Sequence, residues 1–434
     1  MPDTSETLQT SGGNLPPVLS DSAFWGMTAT QFLGAFNDNL FKQIVLLLCV
    51  DYTLAHASGG DIFQTLAQAL FAIPFVLFSG LAGFLSDRTE KRQIVILMKV
   101  AEIVVMLAGV VAFAAAKPGS LELIGILFFV LCLMGAQSAF FGPSKYGILP
   151  EMLRSLDLPV ANGIIQMTTF LAIILGTASA GFCKHAVGDR LWIVSSICVL
   201  VAVLGTATSL LLRKTPAARP GMQFELSALG ISRETRQLLA DDRPLLAVLF
   251  VASIFWLVGG VVLTTVNAFG KIELGYADHV TSLLASCMGL GIAVGCLLAG
   301  KLSSDRSDTH LVRIGAWGIS IALALAGGLG FVPVSPESLA WPLGMVLTAL
   351  GCAAGLFVVP LQVYLQVQPP DSQKGRVIAA MNLMNWIGIL MAAVVYFACS
   401  SIFGSAHISR TFLVLSACML PIAAVYRPPS SKFN

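Results

Sequence analysis

From its N-terminus the chain reads as long apolar runs separated by short polar interruptions, a pattern far longer than one helical turn. About twenty apolar residues at roughly 1.5 Å each cross the ~30 Å hydrocarbon core of a bilayer. Runs of that length fall near 22–50, 63–86, 93–115, 121–142, 160–183 and 191–212. Six more follow near 244–270, 280–299, 310–331, 342–365, 376–400 and 409–426. The pattern predicts an all-α membrane protein of twelve transmembrane helices, because a lipid-embedded backbone must satisfy its hydrogen bonds within each segment.

Composition agrees. The 434 residues are 56% hydrophobic and 11% charged, with mean hydropathy +0.84, whereas soluble domains carry about a quarter charged residues. The net charge of +2 gives no ground for a nucleic-acid partner. Nine cysteines, none in a Cys-x-x-Cys, lie in or beside apolar runs and read as small core residues. No metal-ligand cluster, nucleophile–base pair or Walker A sequence appears, so neither an enzyme nor a bound cofactor is expected. His56 and Asp61 fit the His-x-x-x-x-Asp spacing of glycerolipid acyltransferases, but they stand in a short loop without a soluble domain.

Lys and Arg set the orientation. With the N-terminus inside, seventeen fall in cytoplasmic segments; only Lys117, Lys184, Arg190, Lys271 and Arg410 fall outside. Both termini are therefore expected in the cytoplasm. Residues 1–20 are Ser/Thr/Gly/Pro-rich and lack the basic and apolar regions of a signal peptide, so they read as a disordered cytoplasmic tail.

The longest polar interruption, 213–243, separates six helices in 21–212 from six in 244–427, before a tail of 428–434. Within it, 233–240 suits a short surface helix. The halves echo each other. Gly83 and Asp87 follow the second helix, and Gly300 and Asp305 follow the eighth, 217 and 218 residues later. Ala161-Asn162-Gly163 in the fifth helix is echoed by Ala380-Met381-Asn382 in the eleventh. Parallel six-helix repeats about an axis normal to the membrane describe the major facilitator architecture.

The loop after the second helix resembles that superfamily's Gly-x-x-x-Asp-Arg-x-Gly-Arg-Lys/Arg motif through Gly83, Asp87, Arg88, Lys91 and Arg92, and departs from it at Glu90. Asp87 suits the positive end of a helix in the opposite half. Arg88, Lys91 and Arg92 suit acids or lipid phosphates. Contacts made only while the cytoplasmic side is closed bias a two-state equilibrium; the plainer reading is a basic, positive-inside loop. Asp305 and Arg306, with no basic run after them, would form the weaker gate.

Ionisable residues inside the runs are costly and mark functional sites by default. Asn37, Asp38, Asn39 and Lys42 stand in the middle of the first helix, where Asp38 and Lys42 are placed to pair at i, i+4. That pair serves either substrate or helix packing. Lys99 and Glu102 in the third helix invite the same choice, or Lys99 snorkels to the interface. Gly142 and Pro143 are expected to break the fourth helix, leaving Lys145 at its end as a seat for a lipid phosphate. Gln137, Gln166, Asn267, Gln362, Gln366, Asn382 and Asn385 suggest a wet path between the halves.

Gln31–Lys42 (QFLGAFNDNLFK) and Phe141–Glu151 (FGPSKYGILPE) resemble the lysophospholipid transporter family of the major facilitator superfamily. They are closer still to the transporter portion fused to a lysophospholipid acyltransferase and acyl-carrier-protein synthetase. The resemblance implies a multi-pass, monomeric protein of the cell (inner) membrane. It would move lysophospholipids, chiefly lysophosphatidylethanolamine, toward the inner leaflet, among membrane lipids. A separate acyltransferase is the implied partner. The zwitterionic headgroup would then find its acid in Asp38 and its base in Lys42, Lys99 or Lys145, with Asn37, Asn39, Gln166, Asn382 and Asn385 as polar lining. The competing reading is a proton-coupled exporter of amphiphiles, although 171–182 (LAIILGTASAGF) lacks the Gly-Pro pair of drug–proton antiporters. A lipid receptor without turnover is the third.

Overall fold

The computed structural model describes residues 15–56, 62–223, 230, 232–276, 278–303, 309–333, 335–404 and 407–427. Among them are thirteen α-helices and no strand. The first six are α1 (Ser22–His56), α2 (Ile62–Arg88), α3 (Lys91–Ala115), α4 (Leu121–Met152), α5 (Leu158–Val187) and α6 (Trp192–Ser209). A nine-residue helix, α7 (Arg233–Asp241), lies between them and α8 (Arg243–Ala268), α9 (Asp278–Leu302), α10 (Thr309–Leu329), α11 (Pro336–Val367), α12 (Lys374–Phe403) and α13 (Arg410–Val425). Eleven of the described helices are long and apolar enough to cross a membrane. α13, with 16 residues, is apolar but shorter.

The chain is sorted for lipid. α3 turns Leu97, Val104 and Val111 outward and buries Lys99 and Glu102, the reverse of a helix in water. At the N-terminus Val18 is buried in a 3-10 turn, Val18–Ser20, within the stretch read as tail. Asp21 next to it is buried and pairs with Arg213 at 3.2 Å.

One helix departs from expectation. α4 does not stop at Gly142-Pro143 but runs through Pro143 and Pro150 to Met152. A proline removes one backbone hydrogen bond and crowds the preceding turn, yet neighbouring helices can hold such a segment in place. Here Gly147 lets Lys91 of α3 lie against the α4 backbone, within 2.9 Å of where a Cβ would stand. Ile148, Leu149 and Met152 are fully buried. Lys145 therefore projects from inside a helix, not from its end.

Lipid supplies no hydrophobic force between helices, so close contact must hold them. α9 and α11 meet backbone to backbone. A Cβ on Gly291 would stand 2.1 Å from the Thr348 carbonyl oxygen, and one on Gly295 2.1 Å from that of Cys352. Between α1–α6 and α8–α13, α2 packs along α12 and α5 along α9. Gly163 of α5 and Gly300 of α9 face each other there. One hydrophobic core spans this end of the bundle, joining Phe24, Ile148, Leu149 and Ile165 to Val248, Phe357 and Leu365. A second core lies within α1, α2, α3, α4, α5 and α6, around Phe41, Met106 and Leu127. The end carrying Asp87 is thus closed by continuous apolar packing.

Gly295→Val should cost about 1–3 kcal/mol, because only backbone atoms oppose the new methyls. Thermal unfolding of the purified protein in detergent should show a lower midpoint. Gly259→Ala, with nothing within 4 Å of the new atom, should leave it unchanged or slightly raised.

Candidate functional site

The polar residues of α1 point into the first six helices. Asn37 is fully buried and its amide donates to Glu102 Oε1 on α3 at 2.8 Å. The other oxygen of Glu102 pairs with Lys99, and both side chains are 2% exposed. Lys99 does not snorkel, because Glu102 holds it inside, 5.9 Å from the Phe141 ring. Asp38 accepts from Ser138 Oγ of α4 at 2.7 Å, and Gln137 donates to the same hydroxyl. Asn37 Oδ1 and Asp38 Oδ1 are buried without a hydrogen-bond partner, a state that in a native fold calls for an explanation.

The expected Asp38–Lys42 ion pair is not formed. Lys42 donates instead to Asn39 Oδ1 at 3.1 Å and stands 5.0 Å over the Phe71 ring. Ser138, reaching in from α4, draws the carboxylate away, while the aromatic face of α2 draws the ammonium. Asn39 in turn donates to the Ala35 carbonyl at 2.7 Å.

A second group lies nearer the closed end. Lys145 is half-buried, 4.4 Å over the ring of Tyr146, and makes no ion pair among the described residues. The Tyr146 hydroxyl donates to Gln166 Oε1 at 2.9 Å. Asn382 of α12 comes within 2.7 Å of the place a Cβ would take on Gly142, beside Phe141. Asn385 accepts from Trp256 Nε1 at 3.2 Å in its satisfied orientation. Asn37, Asp38 and Lys99 thus gather around Glu102 and Ser138. Lys145 and Gln166 meet through Tyr146, and Asn382 and Asn385 line the facing helix.

Aromatic rings fill the space between. Trp386 of α12 stacks on Phe75 of α2 at 4.0 Å, and Trp256 of α8 stacks on Phe170 of α5 at 6.3 Å. Sequence reading passed over both tryptophans. Their position inside apolar runs, rather than at run ends where interfacial anchors sit, was the available signal.

At the closed end Asp87 is fully buried at the start of α12. Its Oδ1 accepts from Gly375 N at 2.8 Å and its Oδ2 from Arg376 Nε at 3.1 Å. Lys91 pairs with Glu151 of α4, and Arg92 donates to the last turn of α6 at the Leu210 carbonyl, 3.1 Å. Arg88 is exposed and lies 5.7 Å from the Phe84 ring. On the other side of the interface Asn162 of α5 and Gln366 of α11 exchange two amide bonds, 2.8 and 2.9 Å. Asp305 and Arg306 lie outside the described residues.

Removing one partner of a buried ion pair leaves the other charge uncompensated, at about 3–5 kcal/mol, whereas replacing both is far milder. Glu102→Leu alone should therefore lower the unfolding midpoint in detergent more than Glu102→Leu combined with Lys99→Met. Near the linker, hydrogen bonds from Arg376 and Arg219 hold the Glu234 carboxyl below the usual glutamate range. Such a depressed value adds stability that is complete above the unfolded-state pKa and is lost as pH falls through the folded one. The hydrogen-exchange protection factor of α7, which removes the intrinsic pH dependence of exchange, should hold from neutral pH down to the ordinary glutamate range and fall as pH drops below it.

The major facilitator superfamily model matches residues 27–393. The lysophospholipid transporter LplT of Cronobacter sakazakii is 28% identical over 373 residues, covering 84% of this chain and 86% of that protein. The protein of the same name from Salmonella gallinarum is 28% identical over 379 residues, with the same coverage. Among solved structures, the human organic anion transporter MFSD10 aligns with TM-score 0.71 at 14% identity, covering 94% of this chain and 99% of that one. The proton:xylose symporter XylE aligns with TM-score 0.68 at 16% identity, covering 95% and 97%. The family match, spanning most of the helices described above, makes this chain a member of the major facilitator superfamily.

Proposed function

We propose that the chain is a lysophospholipid carrier of the cell (inner) membrane, working by alternating access, with lysophosphatidylethanolamine as its main substrate. The observation that carries the reading is the cluster of buried Asn37, Lys99 and Glu102 beside half-buried Asp38, inside a bundle whose outer faces are apolar. The names of the relatives supply the substrate class. In this reading α13 completes twelve spans, both termini face the cytoplasm, and 21–212 and 244–427 form two six-helix bundles joined by 213–243.

The chemistry follows from what each group lacks. Asp38 keeps one carboxylate oxygen without a donor and offers it to the headgroup ammonium. Lys145 lacks an acid and offers its ammonium to the phosphate, with Lys42 further along the path. Phe75, Trp386, Phe170 and Trp256 give the single acyl chain an apolar lining. Asp87, received by Gly375 and Arg376 of the opposite half, holds the cytoplasmic side shut. Lys91 and Arg92, expected to share that gate, instead bind Glu151 and Leu210 within α1–α6, and exposed Arg88 lies against Phe84 of its own helix. Release of Asp87 from the start of α12 lets that side open, delivering substrate toward the inner leaflet. The carrier acts as a monomer and hands its cargo to a separate acyltransferase.

The test is a liposome containing the purified chain and a fluorescent lysophosphatidylethanolamine whose loss from the outer leaflet is followed with and without a pH gradient. Movement should need no gradient. Asp38→Asn should slow it at least tenfold while the protein still inserts and unfolds normally. Dye accumulation driven by the gradient, with no lipid movement, would instead identify a proton-coupled exporter with Asp38 as its proton carrier.

A further inference from the structure

The segment between the two sets of helices is fastened to the closed end from both sides. Arg219 donates through its backbone N–H to the Asp87 carbonyl at 2.8 Å, which ties it to α2. Its guanidinium donates to Ser372 Oγ at 3.3 Å, just before α12, and to Glu234 Oε2 at 2.9 Å. Glu234, in the first turn of α7, also accepts from Arg376 at 3.0 Å, while Arg376 donates to Ser232 Oγ at 3.2 Å. Ser232 is held by its own work as the cap of α7, accepting from Thr235 N at 3.2 Å.

Arg376 is thereby used on three sides. Its Nε goes to Asp87 of the first set of helices, and its two terminal nitrogens go to the linker. A planar guanidinium with five fixed donors suits such bridging. The guanidiniums of Arg219 and Arg376 meet on the same oxygen, Glu234 Oε2, so without Glu234 they would lose the acid that stands between them. The acid that balances Arg376 thus comes from the linker as well as from α2.

We infer that α7 and Arg219 act as a strap that sets how often the Asp87 end opens, with Glu234 the positioning residue that holds Arg376 in place for Asp87. The inference rests on the alternating-access reading. The linker contacts both faces of the interface, α2 through Arg219 and α12 through Arg376, so the faces cannot part without breaking bonds to it. A chain that only joined two bundles would have no need to bridge both faces.

Spin labels at Leu156 and Leu302, exposed positions near the closed end on opposite sides of the interface, report its opening. Labels at Leu156 and Leu210 stay within the first set of helices and serve as the internal control. In the full-length protein in lipid nanodiscs, Glu234→Gln should raise the ratio of long to short Leu156–Leu302 distances about fivefold, the scale of a half-exposed ion pair. Arg219→Ala should shift it the same way, and the two changes together should shift it less than the product of their separate effects. The Leu156–Leu210 distance should not move. An unchanged Leu156–Leu302 distribution in both variants would overturn the strap, as would a matching change in the control pair. Lysophospholipid movement by the unmodified protein in that case would leave the carrier reading standing, because the distances are read without substrate.

Discussion

A bilayer solvates methyl groups and nothing else, and every other feature of this protein answers to that constraint. Helix faces turned outward are apolar, so apolar burial cannot choose which helix sits beside which. What remains is close backbone approach and the pairing of polar groups inside. Gly291 and Gly295 bring α9 against α11, and Gly163 and Gly300 bring α5 against α9. Lys99 with Glu102, Lys91 with Glu151 and Asp87 with Arg376 supply the polar pairing, each between groups that lipid would never accept alone.

The two kinds of contact divide the labour. Within α1–α6, ionic and amide bonds around Asn37 and Glu102 are inaccessible to water and hold a fixed arrangement. Across to α8–α13, the contacts at the Asp87 end are glycine-mediated backbone approaches, shared apolar packing, a reciprocal amide pair, and the Asp87 carboxylate on the Gly375 N–H and the Arg376 guanidinium. In the proposed carrier that end faces the aqueous side, so contacts of this second kind can break together without leaving a charge stranded in lipid. An interior that is rigid around its buried charges and separable at one end is what the alternating access proposed above requires.

Near Asp38 the same logic explains a departure from simple pairing. A lysine one turn away is the obvious partner for an aspartate in a helix. The structure gives the lysine to Asn39 and Phe71 and the aspartate to Ser138. An acid satisfied by its own lysine would be chemically finished. One held by a single hydroxyl, with an oxygen to spare, can still bind.

The sequence by itself determined the solvent, the helical class, the family and the residues whose burial costs most. Run length, hydropathy and motif spacing are local properties, and the cost of placing Asp38 or Lys99 in a membrane is legible without knowing their neighbours. Partner choice was decided only by the tertiary structure. That Glu102 reaches Asn37, that Ser138 outcompetes Lys42, that Glu234 from the linker reaches Arg376, and that α4 runs on through Pro143 all depend on helices distant in sequence lying side by side. Local propensity favours a break at Gly142-Pro143 and an i, i+4 pair on α1. Packing of α4 against α2, α3 and α12 overrules the first, because many contacts together outweigh a proline cost of about 3 kcal/mol. Ser138 of α4 and Phe71 of α2 overrule the second, a pair worth only about 0.2–0.5 kcal/mol.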